Sequence, residues 1–148
     1  MGGNRLQYLT PNDWVLIQAQ AVRRTFKLGE EIIRQGEWGD HICVIRRGEA
    51  SVEMAGTGTR AIVASLGPND VCGEISFLDQ TRATAAVIAK DEAVEVDEIS
   101  AIELRKILEA FPRLASRFYH SLALALAQRL KSTSRELARE MALRDRRD

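Results

Sequence analysis

Between Cys72 and Ala85 the chain reads Cys72-Gly73-Glu74-Ile75-Ser76-Phe77-Leu78-Asp79-Gln80-Thr81-Arg82-Ala83-Thr84-Ala85. A strand-like run ends at Val71, Gly73-Glu74 opens one helical turn, and a lone Arg82 precedes a run of small residues. That order suits a buried cyclic phosphodiester. Amides at the start of a helix have no partner within it and favour an anion. A guanidinium such as that of Arg82 grips phosphate oxygens through paired, charge-assisted hydrogen bonds. Glu74 repels a phosphate, so its natural partner is a neutral donor such as a ribose hydroxyl. Gly73 lets backbone approach a ligand closely, and Ala83 and Ala85 leave space beside it. The competing reading of these residues is a surface turn in which Glu74 and Arg82 simply pair.

The elements that would position such a site are readable on either side. Thr10-Pro11-Asn12-Asp13 is a helix start, with a capping hydroxyl, a proline at the first helical position and an acid in the first turn. Trp14, Leu16, Ile17 and Val22 then supply an apolar face as far as Arg23. From Arg24 to Ile99 the period changes to two: Ala50, Val52 and Met54 alternate with Ser51 and Glu53, and Val94 and Val96 with Glu95 and Asp97. Turn signals at Gly29, Gly36, Gly39-Asp40, Gly48, Gly56 and Gly67-Pro68-Asn69-Asp70 separate short strands. Strands at this spacing predict a closed antiparallel roll or barrel.

Ser100 caps a predicted helix through Leu104 and Ile107 to Phe111, and Pro112 opens a longer one. Its apolar positions Leu114, Phe118, Leu122, Leu126, Leu130, Leu137 and Met141 fall at helical spacing, and polar residues cover its other faces. A stripe that outruns the roll predicts a parallel dimer seam; the alternative is one long helix packed on its own domain. The expected division is a helical segment at 1–23, a β-roll at 24–99 holding the 72–85 cassette, C-terminal helices at 100–143 acting as lid and seam, and a solvated tail at 144–148.

Composition narrows the function. The 148 residues suffice for one domain with its own core, at 45% hydrophobic and 28% charged content. Twenty-one basic residues balance twenty-one acidic ones, so no global field draws the molecule to nucleic acid or an anionic membrane. Cys43 and Cys72 lie in apolar stretches and suit buried thiols in a reducing cytoplasm. No apolar run approaches the ~20 residues of a membrane span, Met1-Gly2-Gly3-Asn4 does not lead into a signal peptide, and a myristoylation signal is broken by Leu6. His41 and His120 are too few for a metal-dependent jelly-roll enzyme, and no nucleophilic triad is evident. A cytoplasmic protein that is not an enzyme and uses no metal is expected.

Over roughly residues 10–143 the chain resembles the cyclic-nucleotide-binding domains of the catabolite activator protein and protein kinase regulatory subunit family. Phe26-x-x-Gly29-Glu30-x-Ile32-Ile33-x-x-Gly36-Glu37-x-x-Asp40-x-Ile42-x-Val44-Ile45-x-x-Gly48 matches the opening strand-and-turn pattern, and Leu66-Gly67-Pro68-x-Asp70 the approach to the cassette. The resemblance implies a mainly β fold with flanking helices (α+β). Its centre is an eight-stranded antiparallel, jelly-roll-like β-roll, with an N-terminal helix, a short phosphate-cassette helix and two C-terminal helices, the last one long. It implies that Glu74 accepts from the ribose 2′-hydroxyl, that the amides near Ile75 and Ser76 meet the phosphate, and that Gly73 belongs to the nucleotide-binding set. Arg82 neutralises that phosphate with the Ala83 amide beside it, and Thr84 is also within its reach. Ala127-Gln128-Arg129-Leu130-Lys131-Ser132-Thr133-Ser134 resembles the activator's long helix, so Thr133 and Ser134 would contact adenine, the serine from a second subunit. Otherwise these are two hydroxyls tolerated in a helix.

The expected function is a cyclic-nucleotide receptor whose C-terminal helix passes binding to an unidentified downstream protein. cAMP is favoured over cGMP because Ala83 lacks the hydroxyl that assists guanine recognition in the family. No helix-turn-helix follows the long helix, so this chain is not expected to read DNA itself. The chain also departs from the family. Seven residues, Ile75 to Thr81, separate Glu74 from Arg82, fewer than usual; Thr81 replaces the common proline and Cys72 an aromatic. A shortened loop moves the guanidinium by up to one residue rise, ~3.3 Å. It supports the alternative of a degenerate copy that no longer binds nucleotide and serves as a dimerisation or docking module.

Overall fold

Eight strands and four helices make up the computed structural model, which describes residues 5–147. The termini of the expected 1–23 and 144–148 segments therefore lie partly outside the described residues. Thr10 caps α1 (Pro11–Gln18): its hydroxyl accepts from the Asp13 amide, and the Asp13 carboxylate accepts from the Thr10 amide. The strands β1 (Val22–Phe26), β2 (Glu31–Ile33), β3 (His41–Arg47), β4 (Ala50–Ala55), β5 (Arg60–Leu66), β6 (Val71–Cys72), β7 (Ala86–Ala89) and β8 (Val94–Ser100) follow, with α2 (Glu74–Asp79) between β6 and β7. They form two antiparallel four-stranded sheets, ordered β1-β8-β3-β6 and β2-β7-β4-β5. This is the α+β roll with flanking helices that the sequence predicts.

Strand β3 shows how the core divides. Its run Ile42-Cys43-Val44-Ile45 is buried on both faces, so it carries no alternation of polar and apolar residues. Cys43 and Ile45 point into the roll with Phe26, Leu66, Cys72, Val87, Val94 and Val96. Ile42 and Val44 face a second core made with Ile17, Phe77, Leu104, Leu114, Phe118 and Leu122. The first core shapes the roll's interior, and the second fastens the helices to its outside.

Ser100 caps α3 (Ala101–Ala110), accepting from the Glu103 amide at 3.1 Å. Pro112 then opens α4 (Pro112–Arg147), whose 36 residues include 144–147 of the stretch expected as a solvated tail. No helix-breaking residue occurs between Leu143 and Arg147, so the helix has no local reason to stop earlier. Its apolar stripe splits in two. Leu114, Phe118, Leu122 and Ala125 are buried against the second core, whereas Leu130, Leu137 and Met141 are 68%, 57% and 58% exposed. Among the described residues no helix is long and apolar enough to cross a membrane.

Two contacts tie the N-terminal segment to α4. The Tyr8 amide donates to Ser121 Oγ at 3.0 Å, and Arg117 grips Asp13 with both Nε–Oδ2 and Nη2–Oδ1 at 2.7 Å. The hydrogen bonds from Arg117 lower the Asp13 pKa from 3.8 to about 2, against the opposing effect of burial. A depressed folded-state pKa stabilises the fold above 3.8, and that contribution disappears as pH falls toward about 2. Arg117→Gln should cost about 1–3 kcal/mol at neutral pH. It should also flatten the acid limb of the stability curve between pH 3.8 and 2. Urea titrations across that window test both, and an unchanged acid limb would remove Asp13 from the acid response.

Candidate functional site

The short strand β6 ends at Cys72, and Gly73 turns the chain into α2 with φ at +85°. A Cβ there would lie 2.7 Å from the His41 carbonyl oxygen, so only glycine fits between β3 and the new helix. The opposite side of α2 is fitted as closely, since a Cβ on Gly39 would come within 2.3 Å of Ser76 Cβ. No side chain caps α2. The helix ends at Gln80, in the left-handed region at φ +57°, whose amide donates to the Ser76 carbonyl at 2.8 Å.

These elements enclose a cleft of about 70 Å³, walled by Ile33, Val52, Leu66, Cys72 and Val87, with Gly73–Ser76 and Ala83–Ala85 at its polar edge and Arg129 of α4 across it. The Glu74 side chain is 3% exposed, and its Oε1 lies 3.3 Å from Arg129 Nη1. A buried carboxylate without a cation costs several kcal/mol, so the pair holds α4 onto the cassette. Arg129 remains 28% exposed at the cleft mouth. The cleft is narrow, well below the ~300 Å³ lower bound typical of a small-molecule site. Cys72 stays a neutral wall: its hydrogen bond with the directly opposed Cys43, together with burial, pushes the thiol pKa well up.

Of the expected site residues, the structure gathers Gly73, Glu74, Ile75, Ser76, Ala83 and Thr84 around this one cleft. Arg82 stands apart. It is exposed, its guanidinium sits 4.7 Å over the Trp38 ring, and it pairs with neither Glu74 nor the cleft wall. The cause is register. Ala83 is clamped to the preceding loop by two backbone bonds of 2.8 Å, from the Gly36 amide to its carbonyl and from its amide to the Glu37 carbonyl. Arg82 itself bridges antiparallel to Trp38 in that loop, which sets its guanidinium over the Trp38 ring and away from the cleft. The Ala83 amide, expected beside the phosphate, is thereby engaged with Glu37. Thr133 and Ser134 are exposed on α4 beyond the cleft.

Arg129 and Trp38 are the participants that the sequence reading missed. Arg129 lies four residues before Thr133 and so shares its helical face, a spacing that could have marked it. Trp38 gives no such sign, because its partner is set by the loop's register. Among the described residues no cluster of three or more His, Cys, Asp or Glu could hold a metal ion.

Residues 23–111 match the family model described as the cyclic nucleotide-binding domain. The chain is 34% identical over 135 residues to cyclic GMP-binding protein C of Dictyostelium discoideum, covering 86% of this chain and 5% of that protein. It is 30% identical over 130 residues to the cyclic AMP receptor protein of Thermus thermophilus, covering 87% of this chain and 58% of that protein. The chain thus spans less than two thirds of either relative's length. A solved cyclic nucleotide-binding domain from Methylobacillus flagellatus superposes with a TM-score of 0.81 at 17% identity, covering 89% of this chain and 74% of that one, a likeness of fold. The chain belongs to the cyclic nucleotide-binding domain family.

Gly73→Ala should place a side chain against the His41 carbonyl and in a disfavoured backbone region, costing about 1–3 kcal/mol. The thermal midpoint measures this loss. An unchanged midpoint would mean that β3 and α2 separate at no cost.

Proposed function

We propose that the chain is a cyclic-nucleotide receptor module, with cAMP as its preferred ligand, that transmits binding through α4. One observation carries the proposal: the cassette carboxylate Glu74 is buried in the cleft and held by a residue of the long helix. A ribose hydroxyl donating to Glu74 competes with Arg129 for the same oxygens. Ligand entry therefore changes a contact of α4 directly. A ligand shifts such an equilibrium only by its differential affinity for the two states, and this contact differs between them. Gly73, Ile75, Ser76, Ala83 and Thr84 surround the ligand in this reading. The Leu130, Leu137 and Met141 stripe seats a second copy of α4, bringing Thr133 of one subunit and Ser134 of the other over the base. A homodimer of this kind presents the moving helices to a downstream protein.

The choice of nucleotide rests on Ala83, which lacks the hydroxyl that assists guanine recognition. The two relatives are named for different nucleotides, one for cyclic GMP and one for cyclic AMP, so both need testing. A second reading has its own observation. With Arg82 stacked on Trp38, a fold that has lost its ligand and kept a dimerisation or docking role is supported.

Parallel calorimetric titrations with cAMP and cGMP separate the two readings. Saturable binding with cAMP tighter is expected; no heat and no thermal shift at millimolar nucleotide would favour the docking module. Leu130→Glu should weaken self-association roughly tenfold or more by placing charges across the seam. Sedimentation velocity reads this directly, and an identical profile for variant and parent would reject the seam.

A further inference from the structure

We infer that Cys43 and Cys72 are a hydroperoxide-sensitive pair whose reversible disulfide locks the strand from which the cassette starts. The inference goes beyond the receptor reading and does not depend on it. The two residues are free thiols, directly opposed on antiparallel β3 and β6. Both side chains belong to the core inside the roll, so they lie on the same face of the sheet. Directly opposed residues of an antiparallel pair have Cα atoms about 4.5 or 5.5 Å apart, and a disulfide spans about 4.4–6.8 Å. Either kind of pair therefore accepts the bond without moving a strand.

Position gives the bond its consequence. Strand β6 lies at the edge of its sheet, and its ladder with β3 consists of the pairs Cys43–Cys72 and Val44–Val71. So short a ladder opens more readily than the longer one between β3 and β8. Gly73 follows Cys72 directly and turns the chain into α2. A disulfide at Cys72 ties the start of α2 to β3 covalently and closes a loop that contains β4 and β5.

Each thiol also lines a cavity. Cys72 walls the cleft, and Cys43 borders a neighbouring space of about 150 Å³ shared with Trp38, His41 and Ser76. Both spaces admit water-sized molecules, so a small neutral hydroperoxide has a route to either sulfur. The sulfur reached first attacks a peroxide oxygen; the O–O bond breaks, giving a sulfenic acid and one water. The second thiol then displaces a second water from that sulfur and forms the disulfide. The two thiols together lose two electrons, their protons leave in the waters, and the peroxide is fully reduced. The Cys43 hydrogen bond and burial hold Cys72 protonated, so the pair answers a sustained oxidant rather than a brief one.

The test is exposure of the reduced full chain to millimolar hydrogen peroxide, followed by unfolding, alkylation and intact-mass measurement. The expected product is a monomer two hydrogens lighter, with no thiol left to alkylate and a peptide link between residues 43 and 72. Its thermal midpoint should rise by about 5 °C or more. Amide exchange over residues 71–77 should slow, and dithiothreitol should reverse every change. Cys43→Ala and Cys72→Ala each leave one thiol without its partner, so dimedone should trap a sulfenic acid in them and not in the parent. Should either variant fail to fold, the mass of the parent still decides. Two alkylated thiols after exposure, a sulfinic acid without the internal bond, or a bond between chains overturns the inference. A disulfide that leaves both midpoint and exchange unchanged overturns the lock. Whether nucleotide binds has no bearing on these outcomes, so the receptor reading stands or falls separately.

Discussion

A carboxylate that is 3% exposed cannot stand without a counter-charge, and Glu74 takes its counter-charge from a helix more than fifty residues away in sequence. Much of the architecture follows from that requirement. Gly73 must turn tightly against β3 to aim Glu74 inward, and Gly39 must lack a side chain so that α2 can settle beside it. Helix α4 must pass over the cleft at Arg129, which in turn requires that its first turns be seated. Leu114, Phe118 and Leu122 seat them through the outer core, and Arg117 fixes them to α1 through Asp13. The roll, the cassette and the long helix are thus connected at the one place where a ligand would enter.

This connection gives the helix two roles that are chemically the same. As a wall, Arg129 narrows the cleft. In the proposed receptor role it is also a lever, because a ligand that takes Glu74 releases it. The half of α4 beyond the cleft is exposed on all its faces through Arg147, so the roll buries none of its side chains against a change of tilt. Phe77 adds a second link, packed edge-to-face with Phe118 at 5.9 Å and under the Arg105 guanidinium at 4.9 Å. Movement of α2 is therefore felt by both C-terminal helices. The buried thiols fit the same pattern: Cys43 and Cys72 are opposed on β3 and β6, and the raised pKa of Cys72 keeps it from bringing charge to a cleft already holding a carboxylate.

The roll was legible because strand alternation, glycine turns and capping residues are local signals. Thr10, Asp13 and Ser100 do in the structure what their spacing implies. Strand β3 was readable as apolar, but its service to two cores was not, since that depends on where the helices pack. The cassette was legible to the same depth: Gly73 through Ser76 and Ala83 through Ala85 surround one cleft. The side taken by Arg82 was not. A shortened loop implies a displacement, but its direction depends on the bonds between Ala83 and residues 36–37, which no local pattern encodes. Arg129 was hidden for a related reason. On helical periodicity it belongs to the polar face, and only the crossing of α4 over the cleft distinguishes it from Lys131 or Arg135, which are exposed.

The central claim is that a ligand and α4 compete for one carboxylate. A crystal structure of the chain with cAMP bound tests it most directly, through the separation of Glu74 and Arg129. The account predicts that the ribose hydroxyl meets Glu74 and that Arg129 has parted from it. A complex in which nucleotide fills the cleft while Glu74 and Arg129 remain paired would contradict it.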